Sequence, residues 1–378
     1  MIQKENYKIW VLAPSIESVD DNINYFYDFS QSIQEYDNVF KELNYDWQWQ
    51  YITLKNYATI ISEIIQVSST LNQKPIFFNL CDGDEINDTP GISIIHYLEN
   101  NNQIYTGADA FFYEITTSKE TMKKAFDDNA VKNAKWVFIR TIQDLDKLKS
   151  KYLPYPLIVK PAISGGSMGV GVKNVVHNFN ELYQQVKEML AGYRGWNLNA
   201  GGIILEQFIT GKEYTVFLTG NFNQPKNANI YTPVERVFHK SLPEEEQFLS
   251  FDRLWEIYED EVAMPNQENF YEYALPDENI IEELKMLSWN AFVACKGKSY
   301  TRVDIRKDNT TNELFVLEVN AQCGLSEDEN YTSIGAILKF SNKKFSSLVN
   351  EIINNALSTY NKFTSTKEQN ALAATQLI

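Results

Sequence analysis

Cysteine and histidine are scarce in this chain, three of each in 378 residues. Cys81, Cys295 and Cys323 lie far apart and form no C-x-x-C pair. That spacing gives no zinc pattern and fits a reducing compartment. His96, His177 and His239 are equally scattered. Positive charge is in deficit: 34 Lys and Arg against 50 Asp and Glu leave a formal net charge of -16. Such a balance argues against a nucleic-acid backbone or an anionic membrane as the main partner, while leaving room for a local basic pocket. No apolar run reaches membrane-spanning length. The polar start Met1-Ile2-Gln3-Lys4-Glu5-Asn6 lacks the apolar core of a signal peptide, so a cytoplasmic location is expected.

Glycine is also sparse, which makes one cluster conspicuous. Gly165, Gly166, Gly169 and Gly171 follow the apolar run Leu157-Ile158-Val159-Lys160. Closely spaced glycines let backbone N–H groups surround an anion, and the lysine adds a point charge beside them. The pattern points to a nucleotide triphosphate. It is not a P-loop, because no Gly-Lys-Ser/Thr closes it. Taken alone, the stretch also reads as an ordinary glycine-rich hairpin.

The length predicts two or three subdomains. The first third alternates strand and helix. Lys8 to Ala13 and Pro75 to Leu80 read as buried strands. Helical patterns run to about Leu43, over residues 51–72 and from Gly91 to Asn100, and Ile104 to Gly107 is short and extended. This alternation predicts a small parallel α/β layer, whose ligands sit at strand C-termini. Glu17 and the turn Cys81-Asp82-Gly83-Asp84 are therefore pocket candidates, with Asp20, Asp21 and Asp84 read as solvated. Further on, Thr117 and Glu120 fit a capping box that places Lys119 in a first helical turn, where a facing anion would explain it. Gly202 to Ile209 and Tyr214 to Leu218 read as strands around a tight Gly211-Lys212-Glu213 turn. The first offers main-chain groups for an adenine edge, and Glu213 could bind ribose. Residues 235–275 read as a long irregular segment, too aromatic for disorder and placed as a lid or pocket wall. An amphipathic helix from Pro276-Asp277 to Gly297 precedes two strands, Tyr300 to Arg306 and Glu313 to Asn320.

Those strands hold the second constellation. With a period of two, Arg302, Asp304 and Arg306 share one face of the first. Glu318 and Asn320 share a face of the second, with Phe315, Leu317 and Val319 opposite. In matching register, Asp304, Glu318 and Asn320 form an oxygen patch of the kind Mg²⁺ takes. A solvated charged hairpin is the alternative.

With both constellations in view, the chain resembles the ATP-grasp enzymes, and among them the D-alanine–D-alanine ligases, from about Phe77 to Leu348. The segments that carry the resemblance occur in that family's order: Asn79…Gly83, Tyr105-Thr106-Gly107, Ser118-Lys119…Met122-Lys123, Ile158-Val159-Lys160-Pro161…Gly166-Ser167-Met168-Gly169-Val170, Glu206…Gly211-Lys212-Glu213, Arg302-Val303-Asp304 and Leu317-Glu318-Val319-Asn320…Gly324. The resemblance implies an α/β (α+β) ATP-grasp fold. Its expected parts are a Rossmann-like pre-ATP-grasp domain over 1–117, a central subdomain with the glycine loop over 118–212, a C-terminal antiparallel-sheet subdomain with the metal site over 213–363, and a loose tail or arm over 364–378. It implies that Lys119 and Lys160 contact ATP phosphates and that Ser164, Gly165, Gly166, Ser167, Met168 and Gly169 close over them. Glu206, Gln207, Phe208 and Ile209 would flank adenine, and Glu213 would bind ribose. Asp304, Glu318 and Asn320 would hold two Mg²⁺ ions, with Mn²⁺ as the alternative. Arg302, Lys160 and Ser167 would serve catalysis, with Arg302 on the oxyanion.

The departures lie in the amino-acid pocket. Where the family has Asn-x-x-Pro-Gly-Met/Leu-Thr/Ser-x-His-Ser, this chain has Asn320 to Glu329, with Glu329 in place of the serine and Asp328 in place of the histidine. Leu254 stands near the family's loop lysine, the family's Leu-His-Gly turn is Leu80-Cys81-Asp82-Gly83 here, and Glu17 is what remains of an early glycine-rich turn. Glu17, Cys81, Asp82, Gly324 and Glu329 are the expected substrate contacts. The resulting expectation is an ATP-dependent carboxylate–amine ligase acting on small molecules through an acyl phosphate. Its acceptor would not be D-alanine, and the acidic 327–329 run would favour a cationic one. A D-alanine–D-alanine ligase and a catalytically silent ATP-binding regulator are the alternatives. Oligomeric state is left open, a homodimer included.

Overall fold

The structure, a computed structural model, describes residues 6–16, 28–149, 153–192, 195–258, 260–330 and 332–375. Three sheets organise it. The first is built from β1 (Tyr7–Pro14), β2 (Asp46–Ile52), β3 (Lys74–Asn79) and β4 (Ile104–Tyr105), all parallel in the order β2-β1-β3-β4. β1 is apolar on both faces because both are covered. Ile9 and Val11 pack with Tyr36, Val39 and Phe40 of α1 (Ser30–Leu43). Trp10 and Leu12 pack with Ile61 and Ile64 of α2 (Tyr57–Thr70). The expected parallel layer is present, but residues 51–72 are not one helix. Asp46–Ile52 alternates side chains with period two and forms the edge strand β2 before α2 begins.

α3 (Ile92–Asn100) and α4 (Ala110–Thr117) lead to α5 (Lys119–Asp128). The expected capping box is absent. Thr117 is the last residue of α4, and its hydroxyl donates to the Tyr113 carbonyl at 2.8 Å. Ser118 precedes α5 instead, and its backbone bridges to Ile163.

The second sheet contains β5 (Trp136–Ile139), β6 (Leu157–Pro161), β7 (Val175–Val176) and β8 (Ile203–Gln207), in the order β5-β8-β6-β7, with α6 (Phe179–Ala191) packed on it through Leu182, Val186 and Met189. The third contains β9 (Glu213–Asn221), β10 (Asn229–Ile230), β11 (Val234–Phe238), β12 (Tyr271–Ala274), β13 (Lys298–Lys307) and β14 (Leu314–Ala321). It is antiparallel in the order β12-β11-β9-β13-β14, with β10 beside β9. β8 and β9 therefore do not form a hairpin: residues 208–212 pass from one sheet to another. The segment 235–275 contributes two strands, β11 and β12, and the short helix α7 (Phe251–Trp255).

One face of the third sheet is apolar. Tyr214, Val216, Val303, Ile305, Val316 and Val319 pack with Leu284, Ala291 and Phe292 of α8 (Ile281–Ala294). The other face carries Glu213, Thr215, Arg302, Asp304 and Arg306 toward the second sheet. α9 (Ser333–Phe340) and α10 (Phe345–Thr375) follow. Residues 364–375 continue α10, so the expected loose tail is helical over that stretch.

Candidate active site

A cavity of about 590 Å³ opens between the second and third sheets. Strand register places its polar residues in rows. Glu213 on β9 is opposite Arg236 on β11 and Arg306 on β13. Two residues along, about 6.6 Å further, Thr215 is opposite Asp304, and Asp304 is opposite Glu318 on β14. One step further, Arg302 is opposite Asn320.

The middle row is the oxygen patch. Thr215 Oγ1 donates to Asp304 Oδ1 at 3.0 Å. Asn320 Nδ2 donates to Asp304 Oδ2 at 3.0 Å and to Glu318 Oε1 at 3.3 Å. Arg302 reaches Asp304 with Nε and Nη2, the latter at 2.9 Å from Oδ2. Two carboxylates and an amide thus converge at one point of an open cavity, a donor set that fits a hard divalent cation completed by water and ligand oxygens. Among the described residues there is no cluster of three or more Asp, Glu, His or Cys that could hold a metal, so an ion here would need the amide and the ligand. The expected face of β14 requires one correction. The register shifts between Asp304 and Ile305, opposite Glu318 and Val316, leaving Leu317 as a bulge residue. Leu317 therefore lines the cavity, and Val316 and Val319 share the core.

The Glu213 row is fully ion-paired. Arg236 Nη1 donates to Glu213 Oε1, and Arg306 Nη2 donates to Oε2 at 2.6 Å. Arg236 also donates to Tyr273 Oη at 3.2 Å and lies over Tyr271. Sequence reasoning does not reach Arg236, Tyr271 and Tyr273, because the chain over β11 and β12 reads as irregular. The period-two spacing of Val234 and Arg236 was the available signal.

On the opposite wall, Lys160 points from β6 into the cavity, diagonal to Glu206 on β8. The start of α5 docks on the end of β6 through Lys119 N to Ala162 O at 2.8 Å, and Lys119 Nζ then donates to Ser164 O at 3.1 Å. Burial pushes the Lys119 ammonium below its usual range. Burial would raise the Glu206 carboxyl, but Lys123 and Lys160 outweigh it and hold it below the ordinary carboxylate range. Gln207, Phe208 and Ile209 line the same end.

The glycine loop is tied to the 235–275 segment, which forms a wall of the cavity. Ser167 Oγ donates to Leu249 O at 2.8 Å, Trp255 Nε1 donates to Gly166 O at 2.9 Å, and Phe251 N donates to Val170 O at 2.8 Å. Gly169 has φ +74, and a Cβ there would lie 2.5 Å from Leu198 Cδ1. Ser164, Gly165, Gly166 and Ser167 line the cavity, whereas Met168 packs against the second sheet's core.

The substrate candidates separate. Asp82 and Gly324 line the cavity. The Asp82 carboxyl is pushed up to about 6 by desolvation, with Asp84 adding to it. Asp84 is not simply solvated: it also lines the cavity, and burial raises its carboxyl. Cys81 does not line it. Its thiol is buried in the first sheet's core and donates to Leu12 O at 3.7 Å. Glu329 is exposed outside the cavity and pairs with Lys339 at 2.7 Å, because α9 turns that lysine back over the loop. Glu17 lies outside the described residues. Ser32, Tyr113, Thr116, Thr117, Ser326 and Ser333 were not singled out as cavity residues, yet they line this end. No local pattern marks them.

Comparison with known proteins adds to this geometry. Residues 127–354 match the family described as "D-ala D-ala ligase C-terminus". A D-alanine–D-alanine ligase of Chloroherpeton thalassium is 26% identical over 271 residues, 70% of this chain and 66% of that protein. The chain thus spans just under two thirds of the length of that relative. A protein of Sinorhizobium fredii named only as uncharacterized is 24% identical over 316 residues, 81% of this chain and 82% of that one. The crystal structure of a D-alanine–D-alanine ligase from Bacillus anthracis complexed with ATP superposes with a TM-score of 0.63 at 14% identity, covering 95% of this chain and 99% of that one. The fold is therefore shared with that D-alanine–D-alanine ligase.

Proposed function

The chain belongs to the D-ala D-ala ligase C-terminus family, and from that premise we propose that it is an ATP-dependent carboxylate–amine ligase whose acceptor is not D-alanine. The observation that carries this reading is the convergence of Lys119, Lys160 and the glycine loop with Asp304, Glu318, Asn320 and Arg302 on a single cavity. In the proposed arrangement, Glu206 to Ile209 flank adenine, the Arg236–Glu213–Arg306 row meets ribose, and Lys119 and Lys160 hold phosphates under the loop. Asp304, Glu318 and Asn320 would hold divalent ions, two Mg²⁺ in this reading, which would supply charge neutralisation of the transferring phosphoryl group.

The substrate carboxylate attacks the γ-phosphorus, the bond to the β–γ bridging oxygen breaks, and ADP leaves. The neutral amine then attacks the acyl phosphate carbon, inorganic phosphate departs with the bonding pair and takes up the proton that the nitrogen sheds, leaving the amide. Arg302 stabilises the oxyanion of that second step. The wall formed by Leu249, Leu254 and Trp255 excludes water from the acyl phosphate.

The acceptor end supports the finer part of the proposal. The lysines among the described lining residues are Lys119 and Lys160, both on the phosphate side, and the loop wall contributes the apolar Leu254. Asp82 and Asp84 supply negative charge instead, which favours an acceptor carrying an ammonium group. The test is oxygen transfer. With an ¹⁸O-labelled carboxylate substrate and Mg²⁺, label should appear in the released phosphate along with ADP. Phosphate without label would contradict the acyl phosphate route.

A further inference from the structure

Lys123 is a buried ammonium that the proposed chemistry leaves without a task. It is 1% exposed, lies outside the cavity lining and sits one helical turn after Lys119 on α5. Its Nζ lies 3.2 Å from Glu206 Oε2 and has no other polar partner among the described residues. Lys160 Nζ lies 3.8 Å from the same oxygen but is 18% exposed on its cavity side. Two ammonium groups thus compete for one carboxylate oxygen, and the buried one is nearer. Glu206 itself is 2% exposed, so water does not satisfy it.

We propose that Lys123 is a positioning residue: by neutralising Glu206 from the buried side, it leaves the Lys160 ammonium free for the anionic part of the ligand. The inference rests on the nucleotide reading above. Without Lys123, Glu206 keeps a single ion-pair partner, Lys160, whose flexible stem lets it close on the carboxylate and withdraw from the cavity. Burial lowers the Lys123 ammonium from its ordinary range, as a desolvated cation with one partner should be. The consequence is specific. Loss of Lys123 weakens the grip on phosphates and spares the grip on the nucleoside.

The experiment compares calorimetric binding of ATP with Mg²⁺ and of adenosine to the parent protein, Lys123→Met and the double variant Lys123→Met/Glu206→Gln. Lys123→Met should lose roughly tenfold or more in ATP affinity and less than about threefold in adenosine affinity. In the double variant no carboxylate remains to capture Lys160, and the preference for ATP over adenosine should return to within about threefold of the parent. Equal loss for both ligands, or unchanged ATP binding, would overturn the proposal. Lys123→Gln keeps a hydrogen bond to Glu206 without the charge; it serves if the methionine variant does not fold, with the same expected pattern. A parent protein that binds neither ligand would contradict the nucleotide reading itself, and this inference with it.

Discussion

The two ends of the cavity are built differently. At the proposed metal and phosphate end, Glu213, Thr215, Arg302, Asp304, Glu318 and Asn320 stand on paired strands whose register sets their spacing. At the proposed acceptor end, Asp82, Asp84, Gly324, Ser326 and Thr332 stand on loops, steered by long-range contacts such as Gln322 Nε2 to Cys81 O at 2.7 Å. A site on strands keeps its chemistry while its loops change partner. The difference makes the phosphate end costly to alter and the acceptor end open to substitution.

The contrast can be broken hardest at the metal row. Glu318→Gln should lower Mg²⁺-dependent ADP release about 10³-fold, roughly 4 kcal/mol of transition-state stabilisation. The order of preference among acceptors, measured from residual rates, should not change. Next comes the Arg row. Glu213→Gln leaves Arg236 and Arg306 buried without their carboxylate and should cost about 3 kcal/mol of stability, read from thermal unfolding. At the loop staple, Trp255→Ala removes the bond to Gly166 O and should raise the fraction of ADP released without amide product about threefold to tenfold.

The acceptor end should respond to pH. The Asp82 carboxyl, raised to about 6, is neutral below that pH and charged above it. The KM for an ammonium-bearing acceptor should therefore fall as pH rises through about 6, by up to about tenfold, and Asp82→Asn should flatten the profile. The smallest effect belongs to Glu329→Ser. Because Glu329 pairs with Lys339 at the surface, acceptor preference should stay unchanged and stability should move by less than about 0.5 kcal/mol.

Legibility in the sequence follows the same division. The Arg302–Asp304 and Glu318–Asn320 faces can be read from strand period alone, because polar residues interrupt strands otherwise buried. The bulge at Leu317 cannot, since nothing local marks a register shift. Arg236 was hidden because β11 and β12 are five and four residues long within a polar, proline-bearing segment. Motif alignment counts positions along the chain but not the direction of the loop; Lys339, ten residues after Glu329, decides where that carboxylate goes. Cys81 sits on the turn that the sequence marks, yet that turn points its thiol inward to Leu12 O.

The most direct test of a retained phosphate end with a changed acceptor end is product mass and ADP release with ATP, Mg²⁺ and a panel of D-amino acids, L-amino acids and diamines, offered singly and in pairs. The account predicts ADP release with an unlike pair, in which the better acceptors carry an ammonium group, and the mass of the corresponding amide. Release of ADP with D-alanine alone, giving the mass of its dipeptide, would contradict it.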